Sequence, residues 1–198
     1  MSEHRHFILY KPSGYLSQFV TNQKKRKNKN LLGELYDFPE GTMAVGRLDQ
    51  DSEGLLLLTT DGKVSDQVRS KKVEKEYYVQ VDGEITSEAI EQLKHGVEIS
   101  INGKKYMTLP CEATILDTPP AFEPPKKKIR SERHGPTSWL SVTITEGKFR
   151  QGRKMTAAVG FPTLRLIRVR IGQITLDNLS PGEVREVEQF KLNENLML

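Results

Sequence analysis

The 198-residue chain lacks the features that mark several large functional classes. It holds one cysteine, Cys111, so no internal disulfide framework can form, and the composition fits a reducing cytoplasm. That thiol and four scattered histidines do not make a zinc-ligand pattern, so no metal site is expected. No apolar run approaches the roughly 18–20 residues a membrane helix needs, and the apolar part of MSEHRHFILYKP is too short for a secretory signal. Neither a P-loop nor a GxGxxG pattern occurs, which argues against nucleotide and dinucleotide cofactors.

Acid is also locally missing. No Asp or Glu lies between Glu3 and Glu34, where Lys24, Lys25, Arg26, Lys27 and Lys29 stand. None lies between Glu146 and Asp177, a stretch carrying Lys148, Arg150, Arg153, Lys154, Arg165, Arg168 and Arg170. A third basic segment is KKKIRSER, from Lys126 to Arg133. Each run taken alone reads as a solvated loop. Three within a chain of net charge only +4 favour a polyanion partner, nucleic acid first, because cations on phosphates supply most nonspecific affinity.

What is present reads as a globular α+β protein, with 36% hydrophobic and 28% charged residues. HFILY, TMAVG, GLLLLTT, EYYVQVDG, VEISING, CEATILD, SWLSVTITEG, LRLIRVRIGQITLDN and EVREVEQF read as strands. A short helix is expected around LLGELYDF, another over KVSDQVRS, and one over SEAIEQLKHG with Ser87 as N-cap and Gly96 as stop. RQGRKMTAAVG is expected to be helical up to Gly160. The proline-rich stretch 118–138 reads as a surface loop between strands of one sheet. Many strands and few helices suggest a mixed or antiparallel sheet.

The segment GRLDQDSEGLLLLTTDG, from Gly46 to Gly62, places Arg47, Asp49, Asp51 and Glu53 against four leucines. A buried helix competes for the leucines, but Gly54 and Asp61-Gly62 limit the run and favour a strand. Asp49 and Asp51 have an ordinary reading as turn residues bonded to backbone N–H groups. The alternative is a carboxylate held rigidly between two apolar strands, as a catalytic group requires. Beside a low-dielectric wall it would need a cation, and EGKFRQGRKM offers Arg150 and Arg153 on one helix face.

These residues resemble the RsuA family of ribosomal pseudouridine synthases. GRLDQDSEGLLLLTTDG is similar to its signature, KPSG (11–14) to its Lys-Pro-x-Gly motif, and KEYYV (75–79) to its Lys-x-Tyr motif. EGKFRQGRKM with VGFPTLRLIRVRIG is similar to its C-terminal motif, and PTSWLSVTITEG points to subgroup E, which acts on large-subunit (23S) ribosomal RNA. The resemblance implies the pseudouridine synthase fold: a central, mostly antiparallel mixed sheet flanked by helices and loops, in two lobes around a basic cleft. It implies a single catalytic domain over 1–198 without the N-terminal S4-type RNA-binding domain of some relatives. It implies isomerisation of a flipped-out uridine without cofactor or metal, by a bacterial, cytoplasmic, monomeric enzyme whose partner is ribosomal RNA, free or in an assembly intermediate.

By this resemblance Asp49 is the catalytic aspartate, Tyr77 the ring that stacks on uracil, and Arg153 the cation paired with the carboxylate. Lys11, Arg47, Leu57, Lys75, Arg150, Lys154, Lys24, Lys25, Arg26 and Lys27 are the substrate and RNA contacts it suggests, with Leu57 weighted toward core packing. Asp51 and Glu53 are expected to be solvated or bonded to backbone. Two positions depart from the pattern. Gly152 replaces a Val or Leu, and Phe149 replaces an Asn or Tyr, so that Phe149 either stacks on RNA or belongs to the core. The rival readings are the same chemistry on another ribosomal uridine and a non-catalytic RNA-binding assembly factor.

Overall fold

A computed structural model describes residues 3–21, 30–70 and 72–198. The basic residues Lys24, Lys25, Arg26, Lys27 and Lys29 lie outside these. Along the chain run β1 (His6–Lys11), β2 (Met43–Val45), β3 (Glu53–Thr59), α1 (Gly62–Ser70), β4 (Lys75–Asp82) and α2 (Ser87–His95). There follow β5 (Glu98–Ile101), β6 (Lys104–Met107), β7 (Glu112–Leu116), β8 (Thr137–Ile144), α3 (Gln151–Ala158), β9 (Thr163–Ile171) and β10 (Ile174–Thr175). The chain closes with β11 (Val184–Val187), β12 (Lys191–Asn193) and β13 (Leu196–Met197). The α+β class is as expected from sequence. None of the described helices is long and apolar enough to cross a membrane.

Two compact units are present, one of Met1–Val73 with Arg168–Leu198, the other of Glu74–Ile167. In the first, β1 lies between β11 and β3 and pairs antiparallel with both, Leu9 opposite Leu56 and Lys11 opposite Gly54. On β3, Glu53 to Thr59 are all buried. The four leucines therefore form a strand enclosed on both faces, which explains their unbroken apolar run. Its neighbours include Phe7 and Leu9, both fully buried. Phe7, Phe19, Tyr36 and Phe38 form an edge-to-face and tilted aromatic cluster. At the expected LLGELYDF helix only a 3-10 turn, Leu32–Glu34, forms.

In the second unit β8 lies between β4 and β7, antiparallel to both. Val79, Val81, Leu140 and Val142 pack with Ile90 and Leu93 of α2 and Met155 of α3. The N-cap of α2 is Thr86, whose hydroxyl accepts from the Ala89 N–H at 3.2 Å, so the helix starts one residue earlier than the Ser87 reading placed it. Gly96 ends it at φ 98°. VEISING does not stop at one strand. Asn102 and Gly103, both at positive φ, turn β5 back into β6, the Asn-Gly turn of a tight hairpin. The 118–136 segment joins paired strands β7 and β8, as a loop should.

Candidate active site

The loop between β2 and β3 carries Asp49, and the segment after β1 holds that loop. Ser17 is buried, and its hydroxyl donates to the Leu48 carbonyl at 2.7 Å while accepting from the Leu48 N–H at 3.0 Å. Gly14 N–H donates to the Gln50 carbonyl at 2.8 Å. Ser52 N–H closes a turn onto the Asp49 carbonyl at 3.0 Å. The peptides on both sides of Asp49 are thus fixed, while its side chain is only half-buried. That is the arrangement a reactive carboxylate needs: a rigid backbone with an accessible head group.

Lys11 completes the clamp. It is 0% exposed, and its Nζ donates to the carbonyls of Pro12 and Tyr15 at 2.9 Å and of Gln50 at 3.4 Å. Burial pushes its ammonium down to about 7, against the opposing pull of Glu53, Asp51 and Asp49 and with the help of Arg168. Lys11 is expected from sequence among the RNA contacts. The structure corrects this, because an enclosed ammonium spent on backbone carbonyls does not reach a phosphate.

Of the two readings for Glu53, solvated or bonded to backbone, burial removes the first. Glu53 is buried at 5% exposure within reach of the Lys11 charge, whereas Asp51 is exposed. Arg168 is buried too, donating from Nε to the Leu55 carbonyl at 2.8 Å, while its Nη2 finds no hydrogen-bond partner among the described residues. A Cβ on Gly54 would lie 2.2 Å from the Arg168 carbonyl oxygen, and Gly54 sits at φ +106°, so only glycine fits this start of β3. Sequence reasoning missed Ser17, Arg168 and the burial of Glu53. Nothing local distinguishes a buried charge from a solvated one when its partner lies more than a hundred residues away.

Of the other site residues, Tyr77, Lys75, Arg150, Arg153 and Lys154 belong to the second unit, Arg47 and Leu57 to the first. Tyr77 on β4 is partly buried against the Val79, Leu140 and Met155 cluster. Arg153 and Lys154 lie on α3 and are half-buried, and Lys75 opens β4. Arg150 stands at the N-cap of α3 in the left-handed region, φ 51°. Arg47 is exposed, and Leu57 is 1% exposed, hence core. Two cations of the acid-free stretch between Glu146 and Asp177 are no surface contacts. Arg165 is buried, donates to the Glu123 carbonyl at 2.7 Å and lies over the Phe122 ring. Arg168 is buried as described. In the KKKIRSER segment, Arg130 ties the loop to Asp82 at 2.6 Å, leaving Lys126, Lys127 and Lys128 exposed.

A family model described as RNA pseudouridylate synthase matches residues 5–158. The Ribosomal large subunit pseudouridine synthase E of Vibrio parahaemolyticus is 41% identical over 185 residues, 91% of this chain and 73% of that protein. The protein of the same name from Xanthomonas axonopodis pv. citri is 43% identical over 176 residues, 88% and 89% of the two chains. A crystal structure of a pseudouridylate synthase is 28% identical and superimposes with a TM-score of 0.73 over 94% of this chain and 71% of its own.

Proposed function

This chain belongs to the RNA pseudouridylate synthase family, and we propose that it converts one uridine of large-subunit ribosomal RNA to pseudouridine. The observation that carries the target class is the identity of 40–43% with four relatives named for the large ribosomal subunit, each matched over most of both chains. In this reading the N1–C1′ bond breaks, the uracil rotates, and C5 bonds to C1′. The C5 proton leaves and N1 ends protonated, so substrate and product are isomers. An isomerisation needs no oxidant, nucleotide or metal.

The catalytic residues in this proposal are Asp49, Tyr77 and Arg153. Asp49 supplies the carboxylate that engages the nucleoside. The clamp of Lys11, Gly14 and Ser17 supports this role, since it fixes the peptides flanking Asp49. Tyr77 supplies a ring against which the extruded base stacks, offsetting part of the few kcal/mol that flipping costs. Arg153 supplies positive charge. Arg47, Lys75, Arg150, Lys154 and the basic residues 24–27 are the proposed backbone contacts, and the setting is the bacterial cytoplasm, where such RNA is made. The test is pseudouridine mapping of total ribosomal RNA from cells with and without this protein. Loss of one signal in large-subunit RNA is expected. An unchanged large-subunit map with a lost small-subunit signal would move the target, and unchanged maps of both would overturn the proposal.

A further inference from the structure

Phe149 is 64% exposed, the most solvent-open aromatic ring among the exposed large hydrophobics of the described residues. The core reading of this departure from the family pattern is therefore excluded. Its setting is built. The Glu146 carboxylate accepts from the Leu109 N–H at 3.0 Å and the Gln151 amide at 2.7 Å, and also bonds the Tyr106 hydroxyl. Gln151, buried at 3%, accepts in turn from the Lys148 N–H at 3.2 Å. The next turn runs through Arg150 at φ 51°, an unfavourable conformation for a side-chain-bearing residue. A stiff support of this kind presents the ring instead of hiding it.

The surroundings are cationic. Lys154 Nζ lies 5.1 Å from the Phe149 ring centroid and is held there by the Ser100 carbonyl at 2.8 Å. Lys148 is exposed, with its Nζ 4.8 Å from the Tyr106 ring centroid. Arg150 follows Phe149 directly in the chain. An ammonium covers part of one ring face, so an exposure of 64% leaves room for a planar ligand on the other. Exposed aromatic plus adjacent cations is the chemistry that holds unpaired nucleotides, with the base on the ring and the phosphates on the cations.

We propose that Phe149 is a stacking platform for an unpaired RNA base other than the target uridine, with Lys148, Arg150 and Lys154 serving the adjoining phosphates. This deepens the RNA-substrate reading and rests on it. A stacked base beside the target makes the local single-stranded sequence part of what the enzyme selects. Substituting Phe149 by alanine removes the ring without opening the core, and tryptophan keeps a ring.

The experiment uses purified full-length protein and short target-site RNAs carrying 2-aminopurine or an abasic site at single unpaired positions near the uridine. Phe149→Ala is expected to weaken binding by about tenfold and to abolish the 2-aminopurine quench at one position. Phe149→Trp should retain both. An abasic site at that position should weaken wild type equally and add nothing to Phe149→Ala. Lysine-to-glutamine changes at Lys148 and Lys154 should each lower the salt slope by about one. Wild-type affinity and quenching in Phe149→Ala would overturn the platform. The same result, alongside an exposed ring that instead crosslinks to a ribosomal protein, would give the surface to protein. Wild-type pseudouridine formation is scored separately on the same RNAs, so its absence counts against the substrate reading and not against the platform.

Discussion

The Lys11 ammonium donates to the Gln50 carbonyl at 3.4 Å, tying the end of β1 to the residue after Asp49. A buried lysine is costly to hold charged, and three carbonyls with nearby carboxylates offset that cost only in part. The KPSG segment and the GRLD segment are therefore one structural unit, in which the first fixes the backbone of the second.

The buried Lys11 should leave a mark on stability against pH. Its folded value of about 7 lies below its ordinary 10.5, so the unfolded chain keeps a proton that the folded chain sheds between those values. Stability should rise with pH across that window, and the burial cost should be fully present below it. Lys11→Met should remove this slope. At neutral pH its net effect should be small, because relief of that burial cost opposes the loss of a donor to three carbonyls. Denaturant melts between pH 6.5 and 9.5 measure both, and an identical slope in the variant would refute the assignment.

Gly54 should be irreplaceable. Alanine there meets the Arg168 carbonyl oxygen at 2.2 Å and must adopt φ +106°. A loss of more than about 3 kcal/mol is expected. Gly46 is the control: it also has positive φ, but none of the described residues lies within 4 Å of where its Cβ would stand. Its alanine variant should cost only about 1 kcal/mol. Thermal unfolding of the pair separates steric contact from backbone strain.

Asp49→Asn should leave the fold and RNA affinity nearly unchanged and reduce pseudouridine formation to background. The amide keeps the shape but supplies neither nucleophile nor base. Its side chain is half-buried in a loop fixed by backbone contacts, so little packing is lost. Single-turnover assays with purified protein measure this, and product at a near wild-type rate would remove Asp49 from the mechanism.

Tyr77→Phe keeps the ring packed against the Val79 and Met155 cluster and deletes only the hydroxyl. A fluorescent analogue at the target position should then report normal base flipping. Product should fall only if the hydroxyl handles the C5 proton. Tyr77→Ala should lose flipping along with the stacking worth roughly 1–3 kcal/mol per base. Equal flipping by Tyr77→Ala and wild type, at matched stability, would show that another group holds the base.

Strand positions, the Gly96 helix stop and the family signature were readable because each depends on local periodicity, turn chemistry or contiguous residue identity. The β3 run, for instance, is bounded by Gly54 and Asp61-Gly62 within the segment itself. The 3-10 turn at Leu32–Glu34 and the N-cap of α2 at Thr86 shifted from expectation through end effects, where propensity is weakest.

By itself the sequence determined the α+β class, the buried strand after GRLD, and Asp49 as the carboxylate to examine. It could not rank its own charges. Only the tertiary structure decided that Lys11, Glu53, Arg165 and Arg168 are interior while Phe149 is exposed. Burial depends on partners distant in sequence: the Gln50 and Leu55 carbonyls take up Lys11 and Arg168 through contacts spanning 39 and 113 residues. A charge run looks the same in sequence whether its cations face solvent or each finds a carbonyl inside, and only the folded chain brings those carbonyls within hydrogen-bonding distance.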